Sequence, residues 1–99
     1  MVKFSDIQFR PHPNPFCDGL QGLIFFPGGY GLSVVRFKSP FGDRYLSYTS
    51  NEDEWEVAIL KGDENNWDIC YDTILTSDVL GYQTKEDIEK IMRYLIRLH

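Results

Sequence analysis

The chain has 99 residues, of which 42% are hydrophobic and 25% charged, and its formal net charge is −5. This length suits one domain with a core of its own, so the composition excludes a disordered chain. The charge is uneven, because residues 43–84 hold two basic and ten acidic side chains. Since nucleic-acid binding depends on Lys and Arg neutralising phosphates, direct binding to DNA or RNA is disfavoured.

The ends of the chain and its cysteines favour a soluble protein of the cytoplasm. The N-terminus lacks the apolar run of a signal peptide, and no stretch approaches the ~20 apolar residues of a membrane span. Cys17 and Cys70 form no CxxC pair and have no His at zinc spacing. We expect both thiols to be reduced, although the sequence leaves a disulfide between them open, and we expect the fold to need no cofactor or metal.

Residues 1–19 are predicted to be an extended segment on the surface. The alternate prolines Pro11, Pro13 and Pro15 fix φ and remove backbone donors, so this segment has no sheet partner on its N–H side. His12 lies among these prolines, and packing on an aromatic ring is its expected role.

Residues 20–72 are predicted to form a small antiparallel sheet of four to five strands, built from two hairpins. In the first hairpin, the β-prone runs 20–26 and 32–37 flank a turn with paired glycines. A shorter aromatic strand is expected over residues 44–49.

The second hairpin is predicted from the alternation of its side chains. Apolar residues recur at every second position in 54–60 and again in 67–71, with turn residues between them. We expect Trp55 and Trp67 to face the core together.

The helix is predicted over residues 84–99 and covers the sheet. Thr84 is a suitable N-cap and Asp87 stands at the third helical position, as in a capping box. An apolar stripe follows at spacings of three and four residues. Tyr94 and Ile96 fall off this stripe and leave a contact with another subunit open.

Residues 73–83 are predicted to be a structured connector between the sheet and the helix. Asp72 and Asp78 are candidates for an acid–base pair, but each adjoins Thr or Ser and is typical of a turn or cap. We therefore expect these two carboxylates to shape the connector.

The sequence predicts no catalytic site. A nucleophile–base pair would need His12 with Cys17, or the final His99, and no orienting third group accompanies either. The glycine-rich turn at 27–31 lacks the Lys-Ser/Thr ending of a P-loop. Residues 63–68 resemble the start of a calcium loop without its later ligands. We expect a protein that acts by binding.

Two sets of residues are candidates for that binding. The acidic face could attract a basic partner, although it also fits a solvated surface that keeps the protein soluble. Its candidate partner-contact residues are Glu52, Asp53, Glu54, Asp63, Glu64 and Tyr82. As the alternative, a small ligand such as a nucleotide would bind a pocket of Tyr30, Arg36, Tyr45, Tyr48 and Tyr82.

Several motifs in a fixed order carry a resemblance to a known group. They are Phe9-Arg10-Pro11-His12-Pro13, Gly29-Tyr30-Gly31-Leu32-Ser33-Val34-Val35-Arg36, Glu56-Val57-Ala58-Ile59-Leu60, Tyr71-Asp72-Thr73 and Thr76-Ser77-Asp78-Val79-Leu80-Gly81-Tyr82. The series resembles a widespread group of small uncharacterised bacteriophage and prophage proteins. Those relatives often have Pro where this chain has Ile74 and Asp where it has Ser77.

The resemblance implies a phage gene product in the host cytoplasm and assigns no activity to any residue. The leading hypothesis is a non-enzymatic accessory protein that binds a host protein and inhibits a defence or nucleic-acid-processing system. A nucleotide-binding module and a structural or assembly component of the virion are the alternatives.

Overall fold

The computed structural model describes residues 2–14, 18–42, 44–69 and 79–97. Within these ranges it has one antiparallel sheet and one C-terminal helix, which confirms the predicted α+β class. A 3₁₀ turn, Phe4–Asp6, precedes the first strand. The elements are β1 Gln8–Pro11, β2 Asp18–Phe25, β3 Tyr30–Lys38, β4 Trp55–Asp63, β5 Asn66–Ile69, β6 Leu80–Gln83 and α1 Lys85–Leu95.

The sheet has the order β1-β2-β3-β4-β5, and β6 pairs with the beginning of β4. Both predicted hairpins are confirmed, since β2 pairs with β3 and β4 with β5 in antiparallel register. The second hairpin depends on Gly62, whose φ of 129° lies in a region that side chains rarely adopt. A Cβ there would stand 2.2 Å from the backbone oxygen of Asn66.

The N-terminal segment is extended as predicted, but it is also a strand. β1 pairs with β2 through Phe9 opposite Gly22, and the N–H of His12 continues the ladder to the oxygen of Gly19 at 2.9 Å. Because ladder bonds alternate along a strand, Pro11 takes a position that points away from β2. Its missing N–H therefore costs no bond within the sheet.

Two other predicted boundaries differ from the structure. Residues 44–49 were expected to be a strand, but they form a loop that touches the sheet through an isolated bridge between Lys38 and Tyr45. The end of the predicted connector is a strand, β6, because its backbone meets the free edge of β4 at Trp55 and Val57. Asp72 and most of the connector, including Asp78, lie outside the described residues.

The core lies between α1 and one side of the sheet, which we call the helix-facing side. The buried residues Leu32 and Val34 of β3 and Val57 and Ile59 of β4 alternate along their strands, so they share this side. Against them pack the buried helix residues Ile88, Ile91, Met92 and Leu95. This is the arrangement that the apolar stripe of the helix predicts.

The N-terminus of α1 is capped as the sequence predicts. The N–H of Asp87 donates to Thr84 Oγ1 at 3.3 Å, and the N–H of Thr84 donates to Asp87 Oδ2 at 3.0 Å. The helix ends at Leu95, earlier than predicted, with Ile96 as its C-cap. Tyr94 packs on the edge of the core, whereas Ile96 is exposed.

The prediction that both tryptophans face the core is wrong for one of them. Trp55 is 5% exposed and stacks on Phe9, with ring centroids 4.5 Å apart. Trp67 is 37% exposed, because it lies opposite Gly62 on the other side of the sheet, in a strand whose described residues are all exposed.

Candidate binding surfaces

Among the residues considered for catalysis, the structure describes His12. The ring of His12 packs on Phe37 with centroids 4.8 Å apart, and its Nδ1 accepts a hydrogen bond from the N–H of Asn14 at 3.2 Å. This confirms the expected packing of His12 on an aromatic ring. Cys17 and His99 lie outside the described residues. In the ranges that are described, no three His, Cys, Asp or Glu side chains are grouped to hold a metal ion.

The loop between β3 and β4 is anchored by two buried hydroxyl groups. Ser47 and Thr49 point inward and their side-chain oxygens lie 2.9 Å apart. Ser47 Oγ also accepts a hydrogen bond from the N–H of Phe37 at 3.2 Å, which ties the loop to the end of β3. Because side chains alternate here, Leu46 and Tyr48 point outward and are exposed.

Two of the acidic residues of this region shape the loop. Glu54 Oε1 accepts from the N–H of Ser50 at 2.9 Å, and Glu56 Oε1 accepts from the N–H of Tyr48 at 3.2 Å. These carboxylates are thus committed to the loop backbone. By contrast, Glu52 and Asp53 are exposed, and their carboxylates have no hydrogen-bond or ion-pair partner among the described residues.

Tyr48 and Tyr82 come together at the surface, and Tyr48 belongs to the same loop as Glu52 and Asp53. The N–H of Tyr82 donates to the oxygen of Tyr48 at 2.8 Å, while the two residues are 57% and 58% exposed respectively. Tyr82 has a φ of 57°, a conformation that costs energy in any residue with a Cβ and that its neighbours must hold in place. We call the exposed set Leu46, Tyr48, Glu52, Asp53 and Tyr82 the tyrosine surface.

The other predicted acidic residues lie at the opposite end of β4. At about 3.3 Å per residue, this strand places Asp63 roughly 26 Å from Trp55, which follows Glu54 directly. Asp63 Oδ1 accepts from the N–H groups of Asn65 and Asn66 at 2.9 and 3.1 Å, so it forms the turn. Glu64 lines a cavity of about 610 Å³ together with residues of β1 and β2. The predicted acidic residues therefore divide between two separate regions.

The predicted ligand pocket is also divided. Arg36 and Tyr45 line one cleft of about 190 Å³. Tyr30 lies at the other end of β3, where Lys61 stands 6.0 Å from its ring centroid. Tyr48 and Tyr82 belong to the tyrosine surface. The structure thus brings together two of the five predicted pocket residues in one cleft and two on one surface.

Sequence reasoning missed three exposed or cleft-lining residues. Leu46 could have been found, since 46–50 alternate between outward and inward side chains. Lys38 lines the same cleft as Arg36, two positions along β3, but its role depends on the pairing of distant strands. Phe41 is 93% exposed on the turn after β3, and no periodic pattern marks it.

Comparison with protein-family models, with curated proteins and with solved structures found no match for this chain. Among the described residues, no helix has the length and apolar character that crossing a membrane requires. The tyrosine surface and the Arg36 cleft are therefore the features from which function is inferred.

Proposed function

We propose that the chain is a small non-enzymatic accessory protein, of the bacteriophage type that its ordered motifs resemble, which binds a basic host protein through the tyrosine surface. It would act in the host cytoplasm by occupying the basic surface of a defence or nucleic-acid-processing protein. The observation that carries the proposal is the pair Tyr48 and Tyr82, exposed and joined backbone to backbone, together with two unpaired carboxylates in the loop that holds Tyr48.

The aromatic part of the surface is suited to supply affinity. Tyrosine is among the residues that contribute most to protein interfaces, because it buries a large area and loses few rotamers on binding. Both tyrosines stand on ordered backbone, since Tyr48 is held by Glu56 and Tyr82 by Tyr48. Binding therefore costs little further conformational entropy of the backbone at these two positions.

The acidic part of the surface is suited to select the partner. Glu52 and Asp53 belong to the segment 43–84, which carries a net charge of −8. Opposite charge on a partner would speed association and hold the register of the complex. Proteins that bind phosphate backbones present such basic surfaces, so an acidic domain can compete with nucleic acid for them.

The proposal is tested by quantitative capture from a bacterial lysate with paired variants. One chain carries Glu52→Gln and Asp53→Asn, and its control carries Glu64→Gln and Asp68→Asn at the far hairpin, so that both lose two negative charges. We expect a captured protein to be lost with the first chain and kept with the control. The capture should weaken as salt is raised.

The captured protein is then titrated against a Tyr48→Ala variant. Truncation of a tyrosine at the centre of an interface is expected to weaken binding by about 2 kcal/mol, or roughly 30-fold. Equal capture by the two charge variants, or no specific capture even at low salt, would contradict the proposal. Circular dichroism of each variant shows whether the fold is retained.

A further inference from the structure

A second candidate site lies where β2 begins and β3 ends. A cleft of about 190 Å³ opens there between the two strands and the following loop. Its charged lining residues are Asp18, Arg36, Lys38 and Glu52, and its aromatic ones are Phe37 and Tyr45. Two cations, two carboxylates and a phenol thus meet in a space smaller than the ~300 Å³ at the lower end of ligand pockets.

The two cations stand on one side of the same strand. Arg36 and Lys38 are two positions apart on β3, so their side chains point to the same side of the sheet. The guanidinium of Arg36 lies 4.1 Å from the ring centroid of Trp55 and donates one hydrogen bond to the backbone oxygen of Glu52. Its position is thereby fixed, while other N–H groups of its five remain for a ligand.

Lys38 is held in a comparable way. Its ammonium group lies 4.9 Å from the ring centroid of Tyr45, the residue that bridges to it across the loop. Asp18 is its partner across β2 and β3, yet the two side chains form no ion pair among the described contacts. An oxyanion placed between Lys38 and Arg36 would meet two positive charges on positioned side chains.

The carboxylates of Asp18 and Glu52 determine which groups the ligand must have besides an oxyanion. Asp18 and Glu52 can only accept hydrogen bonds when ionised, and they would repel a ligand that presents nothing except negative charge. A fitting ligand therefore combines an oxyanion with hydroxyl or amino donors. The ring of Tyr45 at the same cleft adds a surface on which a planar group can stack.

We propose that this cleft binds a nucleoside monophosphate. Arg36 and Lys38 hold the phosphate, Asp18 and Glu52 accept hydrogen bonds from the sugar hydroxyls, and the base lies on the Tyr45 side, partly in solvent. The site uses Arg36 and Tyr45, two residues that the sequence places in a ligand pocket, and it needs neither Tyr48 nor Tyr82. It shares Glu52 with the tyrosine surface, so its test uses variants of Lys38 and Tyr45, which lie outside that surface.

Trp55 provides a direct readout, because Arg36 stacks on it. A Trp67→Phe chain keeps Trp55 as the one fluorescent tryptophan. Titration of this chain with AMP, GMP, CMP and UMP is expected to change the Trp55 emission in a saturable way for at least one of them. Adenosine and inorganic phosphate should each bind at least about tenfold more weakly than AMP, since each lacks one half of the contacts.

Paired variants locate the site. Lys38→Gln and Tyr45→Leu are expected to weaken nucleotide binding about tenfold or more. Lys61→Gln and Tyr30→Leu are the matched controls, because Lys61 and Tyr30 form the same kind of cation–ring pair at the other end of β3. Neither control should change the affinity.

Isothermal titration calorimetry runs beside the fluorescence, so that binding without an optical change is still detected. No saturable binding of any of the four nucleotides at concentrations up to about 10 mM would overturn the proposal. Inorganic phosphate binding as tightly as AMP would overturn it as well. So would equal affinities of the Lys38→Gln and Lys61→Gln chains.

Discussion

The two tryptophans lie on neighbouring strands of one hairpin, in the same alternating pattern, but Trp55 is buried and Trp67 is exposed. Trp55 begins β4, which has β3 on one edge and β6 on the other, and its ring lies among Phe4, Phe9 and Arg36. Trp67 lies on β5, which ends the β1-to-β5 strand order, and faces away from α1. Alternation shows which residues share a side of a strand, but it does not show which side meets the helix.

Replacing each tryptophan in turn tests this difference in burial and is expected to give the largest effect on stability. Trp55→Ala is expected to lower the free energy of unfolding by about 3–5 kcal/mol, because it leaves a cavity beneath Arg36 and beside Phe9. Trp67→Ala should cost less than about 1 kcal/mol, as an exposed substitution does. Urea unfolding followed by circular dichroism measures both without depending on the tryptophan signal.

A Trp55→Phe chain serves as the control for this pair. It keeps an aromatic ring in the core and removes the indole N–H, which is buried and has no hydrogen-bond partner among the described residues. Its loss of stability should therefore be much smaller than that of Trp55→Ala. Similar losses from Trp55→Ala and Trp67→Ala would show that the two rings are equally buried, against the structure.

A substitution at Gly62, opposite Trp67, tests whether the exposed hairpin is nevertheless well ordered. Gly62→Ala should cost about 1–3 kcal/mol, because it places a Cβ at a φ that favours glycine and against the backbone of Asn66 and Trp67. Gly42→Ala is the control, since a Cβ there meets nothing within 4 Å. Urea unfolding compares the two chains, and equal stability would mean that the tip of this hairpin rearranges freely.

The N-terminal cap stabilises α1, the helix that covers the core. Its removal is expected to cost less stability than the substitutions above. Thr84→Ala should cost about 1 kcal/mol, whereas Thr84→Ser, which keeps the hydroxyl, should cost much less. Urea unfolding near neutral pH measures this difference. Equal losses from the two substitutions would exclude the hydroxyl of Thr84 as the source of the stability.

The same cap predicts a dependence on pH. Hydrogen bonds from the backbone N–H and then the hydroxyl of Thr84 hold the pKa of Asp87 below its usual value, and Lys90 lowers it further. Because the folded pKa is lower than the unfolded one, this stability is complete above the unfolded value of about 4 and is lost as the pH falls through the folded pKa. The free energy of unfolding is measured at a series of acidic pH values. As the pH falls, protonation of Asp87 should lower this free energy less in Thr84→Ala than in the unchanged chain.

Much of the fold follows from local signals in the sequence. The capping residues Thr84 and Asp87 mark the start of α1, and paired glycines and alternation mark the two hairpins. β1 and β6 were missed because their pairing is non-local. The prolines of β1 argue against a strand unless its pairing with β2 is known. β6 is a strand because it pairs with the free edge of β4.

The candidate sites were less predictable for the same reason. Composition identifies the acidic segment, but the length of β4 separates Glu52 and Asp53 from Asp63 and Glu64. Tyr48 and Tyr82 are 34 positions apart in the sequence, and a backbone hydrogen bond joins them. The cleft of Arg36 and Lys38 likewise depends on the register of β2 and β3, which no local pattern specifies.

The alternate prolines of the first strand have a consequence for the behaviour of the protein at high concentration. The outer edge of β1 offers the N–H of Phe9, but Pro11 and then Pro13 supply none at the next outward positions. An incoming strand from another molecule would find carbonyl groups without the matching donors, so the sheet cannot extend in this direction by stacking further chains. We expect the replacement of both prolines to favour association of molecules through this edge.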